Sequence, residues 1–307
     1  MRRAARLILP VLLVWCTAAA PAATAAEELR ISGGPTSADD PAPVSLEAAV
    51  YLPEESPAPA VILAHGFGGS AADLDEQATA LRDRGYVVLT YSARGFGTSS
   101  GQISMNSPEF EIADARALID YLSTRTEVVQ DSPGDPHVGV AGGSYGGGLA
   151  LLAAGYDPRI DAVAADITWT DLEASLFGQS VVDPPTKERG VFKALWTGNF
   201  FGAGVVNRDG SVTECGRFTP DWCRAYTEAA ADGVVSDASA ELMRRSSPVS
   251  ITDRITAPTL LMGGQADSLF PLAQVNANAE QIAAAQPATP VKVVWHGGGH
   301  DGGIDES

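Results

Sequence analysis

The sequence predicts an α/β protein built on a mostly parallel, doubly wound sheet that carries a helical lid insertion. Three observations lead there. Short apolar, often β-branched runs recur at residues 60–64, 86–91, 138–142, 162–166, 258–264 and 291–295, with helical stretches between most of them. The run from Val138 enters Gly142-Gly143-Ser144-Tyr145-Gly146 and then an alanine- and leucine-rich stretch, which is strand, tight turn and helix in that order. Between residues 167 and 255 the alternation stops, and aromatic residues, helical pieces and a cysteine pair take its place.

The chain opens with Met1-Arg2-Arg3-Ala4-Ala5-Arg6, an apolar run to Ala20 and small residues through Ala26. A basic head, short apolar centre and small-residue end describe a secretory signal peptide over residues 1–26. The run is too short to span a bilayer, and Trp15 stands before Cys16 where a lipoprotein signal needs a small residue. An exported chain without a membrane span is therefore expected. Residues 27–166 should form the first part of the core. A polar leading segment to Pro43, with an edge strand, precedes a strand over residues 44–52. The buried strand at 60–64 ends in His65-Gly66-Phe67-Gly68-Gly69, and Ser70 caps a helix to about Arg84. After the strand at 86–91 come a loop and a helix from about Pro108 to Arg125, then the strand at 138–142 and its helix.

Residues 167–255 read as a lid inserted between two core strands. Most of its aromatics, Trp222 and Tyr226 among them, suit its own small core, whereas Trp196, Phe200 and Phe201 are the candidates for lining a substrate pocket. Residues 256–307 resume the core with a strand, a helix from Leu272 to about Ala285 and the last strand.

The leader holds three arginines and no acid, so the mature chain carries 17 basic against 38 acidic residues. That surface disfavours nucleic acid and anionic membranes, both of which carry phosphate charge. Cys215 and Cys223 flank a Gly- and Pro-containing loop and should form a disulfide in an oxidising compartment. Zinc is not expected there, because no histidine or further cysteine is near in sequence.

The glycines around Ser144 have a chemical reading. A sharp turn strains the serine backbone, and a Cβ at Gly142 or Gly146 would collide with a facing strand or helix. The turn exposes the hydroxyl and frees the N–H of Tyr145 to hold an oxyanion. A phosphate loop would need Gly-Lys-Ser/Thr, and no lysine is close. Gly95-Phe96-Gly97 with Gly101 only half matches a dinucleotide fingerprint. Four histidines could serve Ser144. His65 looks structural, His137 precedes the elbow strand at the far end of the sheet, and His296 should point into packing. His300, on a glycine-rich loop beyond the last strand, is the favoured base. Asp267, after the penultimate strand, is the expected partner of that imidazole, with adjacent Asp301 as runner-up. The second oxyanion donor should be the N–H of Phe67.

Ser144, Asp267 and His300 stand in the order used by α/β-hydrolases. With Arg94-Gly95-Phe96-Gly97, Trp169-Thr170-Asp171-Leu172 and Gly298-Gly299-His300-Asp301, the chain resembles the X-prolyl dipeptidyl-peptidase-like and cocaine-esterase-like hydrolases of peptidase family S15. The resemblance covers most of residues 45–303 and implies the α/β-hydrolase fold with a Ser-His-Asp triad. Two departures stand out. Ser92 occupies the position, two before the arginine, where many α/β-hydrolases carry aspartate. Relatives usually continue into a β-sandwich after the histidine, whereas Ser307 ends this sequence, and a truncated second core part is expected.

The expected function is a secreted serine hydrolase acting on an ester, amide or peptide through an acyl-enzyme, with neither metal nor organic cofactor. An X-prolyl dipeptidyl peptidase would share this machinery and differ in its pocket. A silent hydrolase fold serving as an extracellular binding module is the alternative of another class, and an intact triad argues against it.

Overall fold

The computed structural model describes residues 26–178 and 190–302. The leader lies outside them except for Ala26, as do residues 179–189 of the insertion. In chain order come β1 (Glu27–Pro35), β2 (Pro43–Tyr51), β3 (Ala60–Ala64), α1 (Asp75–Arg82), β4 (Val87–Tyr91) and α2 (Glu111–Ser123). A small hairpin of β5 (Gln130–Ser132) and β6 (Asp135–Pro136) leads into β7 (Val138–Gly143), α3 (Tyr145–Tyr156) and β8 (Ile160–Asp166). Then come α4 (Leu172–Leu176), α5 (Ala194–Val205), α6 (Pro220–Asp232) and α7 (Asp237–Arg245). β9 (Thr259–Gly264), α8 (Leu272–Ala285) and β10 (Val291–His296) follow.

Eight strands form one sheet in the order β1-β2-β4-β3-β7-β8-β9-β10. β1, β2 and β4 pair antiparallel, and every pairing from β4 to β10 is parallel. The parallel strands therefore end together, bringing the loops after Ala64, Gly143, Asp166, Gly264 and His296 to one edge. β4 is buried at all of its residues, as a strand covered on both faces must be, while the start of β2 alternates exposed and buried positions. On α2, Ile112, Ala115, Leu118, Ile119 and Leu122 recur at helical spacing and are buried. α3 is buried almost all round, and between its terminal tyrosines it carries only small and aliphatic residues.

The two faces of the sheet differ. Helices α2, α3 and α8 share the main core with Val140, Val163 and Leu261. A smaller core on the opposite face holds Ala49, Tyr51, Leu63, Val88 and Ala78 of α1. Beyond α1, among the described residues, Gly139, Ala141, Ala162, Ala164 and Leu260 floor an open groove. The even covering of both faces expected from the strand pattern is thus confined to the β2–β4–β3 end. Cys215 and Cys223 are bonded, with Cα atoms 5.2 Å apart, tying the start of α6 to the loop before it.

Candidate active site

β7 stops at Gly143 and α3 starts at Tyr145, leaving Ser144 alone in the turn with φ 53° and ψ −116°. Such angles cost about 1–3 kcal/mol and persist only where the surroundings enforce them. Here the Ser144 N–H donates to the Asp166 carbonyl at 2.9 Å, and its own carbonyl accepts from Gly148 N–H at 3.0 Å. A Cβ on Gly146 would lie 2.1 Å from the Ala64 oxygen, and one on Gly142 would lie 2.6 Å from the same atom. Both approach distances exclude any side chain. Gly143 differs, since its added Cβ would meet only Ile167 Cγ1 at 4.0 Å.

The structure brings Ser144, Asp267 and His300 together. His300 Nε2 is 2.8 Å from Ser144 Oγ, and Nδ1 is 2.6 Å from Asp267 Oδ2. Asp267 also accepts from the N–H groups of Leu269, Phe270 and His300. Its side chain is 0 % exposed and that of His300 is 11 % exposed. A carboxylate so ringed by donors holds the proton on Nδ1, which leaves Nε2 as the acceptor facing the serine hydroxyl. The acid and histidine loops interlock at glycines, for a Cβ on Gly264 would lie 2.1 Å from the Gly298 oxygen.

The other candidates fall elsewhere. His65 is buried, with Nε2 accepting from Ala93 N–H at 2.9 Å and Nδ1 2.7 Å from the Gly66 carbonyl. Burial lowers its pKa, which keeps that ring neutral. His137 pairs with Asp131 at the opposite end of β7. His296 corrects the packing expected of it: the ring is partly exposed and lies 3.0 Å from Asp166 Oδ1. Among the described residues β10 is the last strand of the sheet and its middle residues are exposed, so little packs over its end. Asp301 accepts from Ser268 N–H and Oγ, bracing the loop that carries Asp267. Ser92 donates to Glu47 at 2.7 Å, so a carboxylate is supplied to that position from β2.

Tyr145 is the first residue of α3, where a helical N–H has no intrahelical acceptor. Phe67 sits in the turn closed by Gly69 N–H on the Gly66 carbonyl at 3.0 Å. That turn flanks the serine, since a Cβ on Gly66 would lie 4.0 Å from Ser144 Cβ. Behind the turn lies a network that sequence reasoning misses. Asn106 Nδ2 donates to the Tyr145 carbonyl, and the Tyr145 hydroxyl lies 3.3 Å from the buried Glu111 carboxylate. Glu111 also accepts from the N–H groups of Ser104 and Ser107. Burial pushes its carboxyl up to about 7. Beside it, Arg94 and Asp114 form a buried pair with two bonds of 2.7 Å. No sequence signal marks Glu111, because only its fold neighbours make it unusual.

Trp196, Phe200 and Phe201 line up along α5. Trp196 stands edge-on to His300 with ring centres 5.9 Å apart and stacks on Phe200 at 6.0 Å. Phe200 approaches Phe67 at 5.4 Å, while Phe201 stacks on Phe218 and Tyr226. Phe200 and Phe201, but not Trp196, help wall an apolar pocket of about 80 Å³ whose other walls include Phe67, Met105, Phe218 and Trp222. Trp222 and Tyr226, expected to serve only the core of the insertion, thus face this pocket as well. Their spacing with Ala225 and Ala229 along α6 is a helical stripe that could have disclosed them.

A serine oxygen hydrogen-bonded to a carboxylate-oriented imidazole, at the carboxyl edge of this sheet, defines the α/β-hydrolase class. The chain belongs to the X-Pro dipeptidyl-peptidase (S15) family, whose profile matches residues 40–302. A non-heme haloperoxidase of Rhodococcus erythropolis is 28% identical over 221 residues, covering 69% of this chain and 76% of that protein. The quorum-quenching protein AidA of Acinetobacter baumannii is 32% identical over 135 residues. The match covers 42% of this chain and 41% of AidA, so it spans well under two thirds of that relative. Among solved structures, the Pyrococcus furiosus esterase Pf2001 superposes with TM-score 0.56 at 19% identity, covering 90% of this chain and 82% of that one. The acylaminoacyl peptidase of Pyrococcus horikoshii gives 0.58 at 14% identity over 90% of this chain and 37% of its own. At such identities the likeness is one of fold. No helix among the described residues is long and apolar enough to cross a membrane.

Proposed function

We propose that the protein is a secreted serine hydrolase that cleaves ester or amide bonds through an acyl-enzyme. The observation that carries this is the 2.8 Å contact of His300 Nε2 with Ser144 Oγ, backed by Asp267 on the other ring nitrogen. Ser144 attacks the substrate carbonyl while His300 takes its proton, and Asp267 stabilises the imidazolium. The N–H groups of Phe67 and Tyr145 hold the oxyanion. His300 then protonates the leaving group, and water activated by the same ring releases the acid. Residues 167–255, with helices α4 to α7, act as the lid. The leader and the Cys215–Cys223 bond support export.

Ser144→Ala should lower ester turnover by at least about 10⁴-fold and abolish labelling by a fluorophosphonate probe. Labelling that survives in the variant would refute the assignment, and an unlabelled wild type would favour a binding module. The family description raises an X-prolyl dipeptidyl peptidase as a second reading. Against it, the apolar pocket offers no carboxylate to a free amine among its walls. Turnover of p-nitrophenyl acetate against a Gly-Pro-anilide separates the two.

A further inference from the structure

Among the described residues, four that are not glycine have a positive φ: Met105 at 53°, Asn106 at 61°, Ser144 at 53° and Ile167 at 39°. Such backbone is strained, most of all for a β-branched residue like Ile167, and persists only where the surroundings enforce it. The four are far apart in sequence, yet each belongs to a segment that meets the turn at Ser144. Ser144 is the turn itself. Ile167 directly precedes Thr168, whose Oγ1 donates to the Ser144 carbonyl at 2.9 Å. Asn106 Nδ2 donates to the next carbonyl along, that of Tyr145, also at 2.9 Å.

Both strained segments are held from outside. The Ile167 N–H donates to the Met262 carbonyl at 3.0 Å. Glu111 accepts from the N–H groups of Ser104 and Ser107, which bracket Met105 and Asn106. Thr168 and Asn106 are themselves buried, so water does not compete for their bonds.

The Ser144 carbonyl and the Tyr145 N–H belong to one planar peptide group, so whatever fixes the oxygen also aims the N–H. That oxygen already accepts from Gly148 N–H at 3.0 Å, and the Thr168 hydroxyl is not needed to satisfy it. The hydroxyl instead uses the second lone pair. A second donor locks the peptide plane and draws electron density to the oxygen, which makes the N–H a stronger donor.

We propose that Thr168 is a positioning residue for the oxyanion. Its hydroxyl orients and polarises the Ser144–Tyr145 peptide, so that the Tyr145 N–H meets the charge developing on the substrate, and Asn106 braces the following peptide. The strained backbone at Ile167 and at Met105-Asn106 is what delivers the two side chains. The inference rests on the acyl-enzyme reading above.

The test compares a p-nitrophenyl ester with the thionoester in which sulfur replaces the carbonyl oxygen, since sulfur is a weak acceptor and gains little from an oxyanion hole. Thr168→Val keeps the shape of the side chain and loses the hydroxyl. It should lower kcat on the ester about tenfold with KM within about twofold, a smaller loss than the 10²–10³-fold of deleting a donor. On the thionoester the loss should stay under about twofold, so the ester-to-thionoester ratio falls with the ester rate. Thr168→Ser, which restores the hydroxyl, should recover both the rate and the ratio. A merely structural hydroxyl would slow the two substrates alike. Unchanged ester turnover in Thr168→Val, an equal loss on both substrates or a loss that Thr168→Ser does not repair overturns the proposal. Should Thr168→Val fail to fold, Thr168→Ala is judged by the same ratio. Failure of the wild type to turn over any ester, with Ser144 unlabelled by the fluorophosphonate, would instead overturn the acyl-enzyme reading itself.

Discussion

The elbow at Ser144 and the pocket beneath α5 and α6 are neighbours built by opposite means. The elbow is a contact of backbone on backbone: Gly142 and Gly146 lie against the Ala64 carbonyl with no room for a methyl group. The pocket is a contact of side chain on side chain, in which Phe201 stacks on Tyr226 at 3.8 Å and on Phe218 at 5.1 Å. Backbone cannot repack, whereas rings of similar volume can exchange and shift. The difference teaches where tolerance should lie, with almost none at the elbow glycines and a good deal in the pocket.

The sharpest way to break that comparison lies within the motif itself. Gly146→Ala should destabilise the protein by more than about 4 kcal/mol or prevent soluble folding, since its Cβ would sit 2.1 Å from a carbonyl oxygen. Gly143→Ala, three residues earlier, should stay within about 1 kcal/mol of wild type, because its nearest neighbour is a side-chain carbon at 4.0 Å. Urea unfolding of the two variants decides the matter, and equal effects would mean that the close approach is not what constrains the turn.

A middle-sized effect should appear at Glu111, the buried carboxylate behind Tyr145. Its folded pKa of about 7 lies above the ordinary 4.5, so the native state binds this proton more tightly than the unfolded chain does. Its contribution to stability is therefore greatest below pH 4.5 and is lost as pH rises from there through about 7. Glu111→Gln removes this dependence. The variant should be less stable than wild type at pH 5, because its single amide oxygen can accept from only one of the Ser104 and Ser107 N–H groups and its NH2 faces the other. By pH 8 the gap should have narrowed by on the order of 3 kcal/mol, since each pH step between the two pKa values removes about 1.4 kcal/mol. Denaturant titrations at the two pH values read it directly, and a gap that stays constant would show that Glu111 is ionised throughout.

A modest effect belongs to the pocket. Phe201→Leu exchanges one apolar side chain for another and gives up two ring stacks, so about 1–2 kcal/mol of stability should be lost. Calorimetric melting compares it with the glycine variants. A loss as large as that of Gly146→Ala would erase the distinction between the two regions.

Much of the frame is legible in the chain. β4 is a continuous apolar run because a strand buried on both faces cannot alternate, and the turn at Gly142–Gly146 declares itself through glycines that flank a serine. Ser144, Asp267 and His300 stand out by motif and order, and their side chains are hydrogen-bonded in the structure. What escapes is the set of residues whose meaning depends on distant neighbours. Glu111 looks like an ordinary helix-start acid until burial surrounds it. His296 looks like the end of an apolar strand until the sheet leaves it at an edge beside Asp166. Trp222 looks like one more aromatic of the insertion until it is seen to wall the pocket.

By itself, the sequence determined the alternation of strands and helices, the corner that isolates Ser144 and the order of its partners, because these follow from residue type and spacing along the chain. Only the tertiary structure decided which sheet face stays open, which carboxylate is buried at Tyr145 and which rings meet around the pocket. Those are questions of proximity between segments far apart in sequence, and local propensity carries no information about distance in space.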